Sequence, residues 1–197
     1  MFTEELNYIK NDKLKKSAEI LISKLPEYFF KVEASSTGKY HPEFASGEGG
    51  LVRHTKVAVR MAYELFQITP YDKLFTNHEK DCILIGLLVH DGLKKGDPEE
   101  KYTRFDHPIL AANYVLAMQE AAELTKEEAE FISHVIKTHM GKWNVDYFGN
   151  EVLEVPKDRY QYFVHMCDYL ASRKFINVKF DEKGEIEKWK KWQIGKN

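Results

Sequence analysis

His90 and Asp91 stand side by side and offer an imidazole and a carboxylate, both good ligands for divalent first-row metals. His-Asp is a common dipeptide, and two neighbours cannot make a site. Further donors come from His54, in GGLVRHT, and from Asp168, in HMCDYLASRK. Four N and O ligands from three helices can converge on one ion and leave positions open for water and substrate. His107, in FDHP, and His139, in IKTHMGKW, add two imidazoles, and if they face the same cavity they can hold a second ion with Asp91 as the bridge. A bound divalent ion lowers the pKa of its water from about 15.7 towards ~7 and neutralises charge building on a phosphoryl group. Hydrolysis of a phosphoester is one reaction such a site can support. Asp91 and Lys94 are its expected catalytic residues, Lys94 as a point charge on a phosphate oxygen.

The elements that must carry these residues read as helices. Residues 14–30 place Leu14, Ala18, Leu21, Ile22 and Leu25 at helical spacing, and Pro26 bends or ends that helix. Residues 34–50, ASSTGKYHPEFASGEGG, form a loop whose double glycine lets backbone approach closely. Residues 52–66 carry Val57, Ala58, Met61, Ala62 and Leu65 on one stripe, with His54 one turn before it. The run DCILIGLLV, residues 81–89, is apolar all round, which predicts a buried central helix delivering His90 and Asp91 at its C-terminal end. A polar loop follows over residues 94–106, then a helix from Pro108 through Glu123. Thr125 with Glu128 matches a capping box for a helix running to His139, closed by Gly141. Residues 144–156 read as a short hairpin or an irregular excursion, 159–175 as an amphipathic helix, and the tail can form a two-stranded ribbon turning at 182–184.

The bulk numbers bound what surrounds this chemistry. A chain of 197 residues, 43% of them hydrophobic, fits one all-α domain over 1–197, with a core at about 49–174 and an extension over 175–197. Its 29 basic and 31 acidic side chains leave a formal charge of -2, so no global field points to a large nucleic-acid surface or an anionic membrane. No stretch approaches the ~20 apolar residues of a spanning helix, and the N-terminus lacks an apolar signal region, so the expected place is the cytoplasm. Cys82 and Cys167 lie in apolar surroundings without CxxC spacing and read as buried free thiols.

The order His54, His90-Asp91, Asp168 resembles the H…HD…D signature of the HD superfamily of metal-dependent phosphohydrolases, over about residues 49–174. GGLVRHT is similar to that family's first-histidine motif, LLVHDGLKKG to its HD motif with the trailing lysine, and HMCDYLASRK to its closing aspartate helix. FDHPILAANYV and VIKTHMGKW sit where members with two extra histidines keep second-metal ligands, which implies that role for His107 and His139. The chain resembles most the subgroup that includes bacterial 3′–5′ exoribonucleases, although their OB domain has no counterpart here. It departs from the family in Gly92-Leu93-Lys94, where hydrophobic-Gly-Lys is usual, and in Gly141-Lys142-Trp143, where cyclic-diguanylate phosphodiesterases carry GYP. The resemblance implies an HD-domain helical bundle holding one or two divalent ions (Mn, Mg, Fe, Co or Ni) and hydrolysing nucleotides or short oligonucleotides. Mixed His and Asp ligation favours the transition metals over magnesium.

Around that site, Arg53 and Arg104 are candidates for phosphate binding, and Trp143 and Tyr147 for stacking on a base. His165, one turn before Asp168, is a satisfied core histidine, an orienting partner or a substrate contact. His134 is a polar helix residue, and His41 and His78, in loop-like polar sequence, receive no role. Two other functions stay open at this stage. One is a non-catalytic nucleotide-binding regulatory module on the same scaffold, the other a di-iron oxygenase.

Overall fold

The computed structural model describes residues 1–37, 40–146 and 148–187. Its α-helices among these are α1 (Thr3–Leu6), α2 (Asp12–Ser23), α3 (Gly50–Leu65), α4 (Tyr71–Leu74), α5 (Asn77–Val89), α6 (His107–Ala117), α7 (Lys126–Ile136) and α8 (Arg159–Ala171). The fold is all-α. The helix that is apolar on every side, α5, lies where such a helix must, packed against α2, α3, α7 and α8. Buried apolar residues from Phe2 to Ala171 form one continuous cluster around it. No helix among the described residues is long and apolar enough to cross a membrane. Cys82 and Cys167 are both buried and unpaired, as their surroundings imply.

Helix starts follow the local chemistry. The Thr125 hydroxyl accepts from Glu128 N at 3.1 Å and the Glu128 carboxylate accepts from Thr125 N at 2.7 Å, completing the expected capping box of α7. The same reciprocal pair, Thr76 with Glu79, starts α5 a turn before its apolar run. Asp158 caps α8 through Tyr160 N and Gln161 N. Helix ends diverge more from expectation. α2 stops at Ser23, and a 3₁₀ turn over Glu27–Phe30 follows Pro26. α6 stops at Ala117, not Glu123, because successive turns and a left-handed Glu123 (φ 57°) reverse the chain into the α7 cap. α8 ends at Ala171, before the exposed Phe175. His139 lies beyond α7 proper, on tight turns closed by Gly141 at φ 61°.

Outside the helices, antiparallel pairing among the described residues is confined to the isolated bridges Val145–Glu151 and Phe180–Ile186. The second matches a ribbon turning at 182–184, whose continuation into 188–197 lies outside the described residues. Its Glu185 reaches the buried Lys56 of α3 at 2.6 Å, and Glu5 of α1 approaches the same ammonium at 3.4 Å. Burial raises the Glu5 carboxyl pKa, with Lys56 pulling against it. Glu5 and Glu185 are thereby both tied to the helix that carries His54.

The loop over residues 34–50 is fixed to the start of α3 at close range. Ala34 N donates to Ala45 O, Gly49 N to Lys31 O and Leu51 N to Val32 O, all within 3.0 Å. A methyl at Gly50 would lie 2.2 Å from the Ala45 carbonyl oxygen, which is backbone and cannot swing away. Gly50→Ala is therefore expected to lower stability by about 1–3 kcal/mol, the range of an overpacked interior, read from urea denaturation; a variant as stable as the parent would show that this close approach is not structural.

Candidate metal centre

Four helices and the turns after a fifth deliver the expected ligands to one point. His54 comes from α3, His90 and Asp91 from the C-terminal end of α5, His107 from the first residue of α6, His139 from the turns after α7 and Asp168 from α8. His54, His90, Asp91, His107 and His139 are each no more than 2% exposed, and the Asp168 side chain is 16% exposed. All six proposed ligands converge.

The two oxygens of Asp91 face different histidines. Oδ2 lies 3.8 Å from His54 Nε2 and 3.7 Å from His90 Nε2. Oδ1 lies 3.1 Å from His107 Nε2 and 3.6 Å from His139 Nε2. Asp168 Oδ1 completes the first group at 2.9 Å from His54 Nε2 and 3.4 Å from His90 Nε2. His54, His90 and Asp168 form one set compact enough to hold a metal ion, and His90, Asp91 and His139 a second.

Hydrogen bonds on the far side of the rings fix what the near side offers. His90 Nδ1 lies 2.7 Å from Leu87 O, His107 Nδ1 2.7 Å from Arg104 O and His139 Nδ1 2.9 Å from Ile136 O. A carbonyl only accepts, so each Nδ1 carries a proton and Nε2 is the atom that each ring turns inward. His107 Nε2 and His139 Nε2 then meet at 3.1 Å. Burial pushes the His139 pKa down to about 4, so its ring stays neutral at neutral pH. Two ring nitrogens this close must share either a proton or a metal cation. His90 Nε2 and Asp91 Oδ1 are also buried without a hydrogen-bond partner, as donor atoms meant for a cation would be. The residues present fit a divalent metal.

The carboxylates are charged and ready to ligate. Burial alone would raise the Asp91 pKa, but the neighbouring Lys94 charge and the surrounding imidazoles outweigh it and hold it well below the usual range. For Asp168, burial is likewise outweighed by the bond with His54 and the nearby His90 ring. Opposing these, burial would lower the His90 pKa, and Asp91 and Asp168 raise it instead. Lys94 Nζ lies 2.5 Å from Asp91 Oδ2 and is itself buried.

The centre opens into a cavity of about 700 Å³, inside the roughly 300–1,000 Å³ range of small-molecule sites. Lys94, Arg104 and Trp143 line it as expected, together with His41, His165, Tyr169 and Arg173. Arg104 is occupied, however: it forks onto Asp106 with two bonds of 2.8 Å and reaches Glu100 at 2.7 Å. With its carbonyl on His107 Nδ1, it positions that ligand. Arg53, expected at the substrate, is not among the lining residues; its guanidinium donates to the carbonyls of Phe44, Ser46 and Glu48 and braces the loop before α3. Tyr147 lies outside the described residues.

Two histidines gain places that the sequence did not assign firmly. His165 donates from Nδ1 to His139 O at 2.6 Å. A Cβ at position 141 would fall 2.2 Å from its ring, so Gly141 serves both the left-handed turn and this imidazole. His41, from the loop, stands edge-on to His54 with ring centroids 4.8 Å apart. Burial, then His54 and Lys94, push its pKa down to about 2. No periodicity marks a loop residue, and the only sequence signal was a histidine in the segment just ahead of the double glycine. His134, by contrast, pairs with Asp158 at 2.5 Å, away from the cavity lining.

No family model, curated protein or solved structure matches this chain. The ligand geometry is therefore tested directly by metal analysis of the dialysed protein. Wild type is expected to retain Mn²⁺, Fe²⁺, Co²⁺ or Ni²⁺, with Asp168→Ala and His139→Ala each weakening retention at least about tenfold, the least that loss of even a residue supporting a ligand costs. Retention equal to wild type in both variants would show that the cluster is not a metal site.

Proposed function

We propose that the protein is a metal-dependent phosphohydrolase of the HD type that cleaves a phosphomonoester or phosphodiester bond in nucleotides or short oligonucleotides. The observation that carries this reading is the Asp91 carboxylate shared between two histidine groups at the floor of an open cavity. His54, His90, Asp91 and Asp168 would hold one ion, and His107 and His139 a second against the other oxygen of Asp91. A divalent ion so held supplies Lewis acidity and makes water a usable nucleophile near neutral pH.

The chain's own residues supply the rest. Backbone carbonyls hold the protons on the far side of His90, His107 and His139, so those rings act as ligands and not as acids. Lys94 brings a positive charge to Asp91 at the cavity wall, where it would meet an oxygen of a bound phosphoryl group. Farther along the wall Trp143 stacks on Tyr169, with centroids 5.5 Å apart and planes at 21°. The Arg173 guanidinium covers Tyr169 at 4.0 Å, and Lys142 lies 5.1 Å from the Trp143 centroid. Neither cation has a carboxylate within salt-bridge distance among the described residues. Aromatic rings beside uncompensated cations favour an anionic ligand that carries a base.

Metal-loaded protein is expected to hydrolyse generic aryl phosphates and members of a nucleotide panel. His90→Ala and Asp91→Ala should each abolish that hydrolysis while leaving the helical circular-dichroism spectrum intact; full activity in either would exclude the assignment. Binding of nucleotides without product would point instead to a non-catalytic module. For nucleotides, Trp143→Ala should raise KM by the equivalent of about 1–3 kcal/mol of base stacking and leave KM for a small aryl phosphate little changed; equal effects on both would remove the base contact from the reading.

A further inference from the structure

His41 belongs to neither ligand group, yet it lies against the metal centre and lines its cavity. Its Nδ1 is buried and has no hydrogen-bond partner. An unsatisfied buried nitrogen is costly, and few persist in a folded protein without a reason. The groups around this ring are His54, Lys94, Asp168 and Asp91, all components of the centre or of its charge balance.

The position of His41 is built. Arg53 donates to Phe44 O at 2.5 Å, to Ser46 O at 2.8 Å and to Glu48 O at 2.9 Å. Ala34 N closes the other side of the loop onto Ala45 O at 3.0 Å, and the missing side chain at Gly50 allows that approach. Pro42, next to His41, is buried and accepts from Ala45 N at 3.0 Å. Arginine, glycine and proline thus hold the end of the loop rigid, with an imidazole held beside His54 and one nitrogen unsatisfied. A surface histidine would need none of this.

We propose that His41 is a substrate-contacting residue whose imidazole hydrogen-bonds an oxygen of the phosphoryl group bound at the metal centre. The inference rests on the phosphohydrolase reading and adds to it a contact from outside the ligand set. It also gives the GGLVR segment a second task. Besides starting the helix of His54, it fixes the loop that aims His41 at the same anion.

The test is calorimetric titration of Mn²⁺-loaded protein with inorganic phosphate, with Mn²⁺ content measured on the same samples. His41→Ala is expected to weaken phosphate binding about tenfold at unchanged Mn²⁺ content, whereas His41→Asn, which keeps a donor and an acceptor near Nδ1, should stay within about threefold of wild type. Wild-type affinity in His41→Ala would overturn the proposal. So would loss of Mn²⁺ together with phosphate, which would make His41 a support for the metal, or an Asn variant as weak as the Ala variant. Wild-type protein that holds Mn²⁺ but takes up no phosphate would overturn the phosphohydrolase reading and this contact with it.

Discussion

A carboxylate buried at the centre of an apolar bundle is expensive, and the Asp91 side chain is 2% exposed just past the buried apolar run of α5. Taking such a charge out of water costs several kcal/mol after relaxation unless partners surround it. Lys94 offsets that charge at one oxygen, and the imidazoles of His54, His90, His107 and His139, two facing each oxygen, frame the place where a cation would offset the rest. Each supporting element can be read as a consequence of that requirement. α5 is central because its end must meet α3, the start of α6, the turns after α7 and α8 at one point.

The same requirement explains devices placed away from the ligands. Arg104 locks Asp106 beside His107 and offers its own carbonyl to His107 Nδ1. Gly141 makes room for His165, whose ring holds the His139 carbonyl from above. Lys56, two residues after His54, draws Glu5 and Glu185 to α3 from opposite ends of the chain. Interior packing is close to crystal density, so a shift in any of these would be felt at the ligands.

Much of this was legible in the sequence, for identifiable reasons. His90-Asp91 could be placed because a continuous apolar run leads into it, and His54 and Asp168 because they accompany the inward stripes of their helices. The Thr125–Glu128 box announced α7 through a side-chain rule that acts over one turn. What stayed hidden depends on partners far away in the chain. Arg53 and Arg104 were visible as charges, but whether they face a phosphate or a carbonyl depends on which loop folds back onto them. Nothing in the sequence singles out Lys56, since lysine is rarely buried and its two carboxylates lie 51 residues before and 129 after it. His41 sits in a loop, where no period separates inside from outside. The end of α6 was misjudged because residues 118–122 suit a helix, and only the reversal at Glu123 stops them.

The central claim is that a cation lies against the Asp91 carboxylate, between the imidazoles that face its two oxygens. Anomalous diffraction at the manganese edge, from crystals grown with Mn²⁺, measures this most directly. A peak within coordination distance of Asp91 and of His54, His90 and Asp168, or of His107 and His139, is the result the account requires. Manganese bound elsewhere on the chain, with no anomalous density in this cluster, would contradict it.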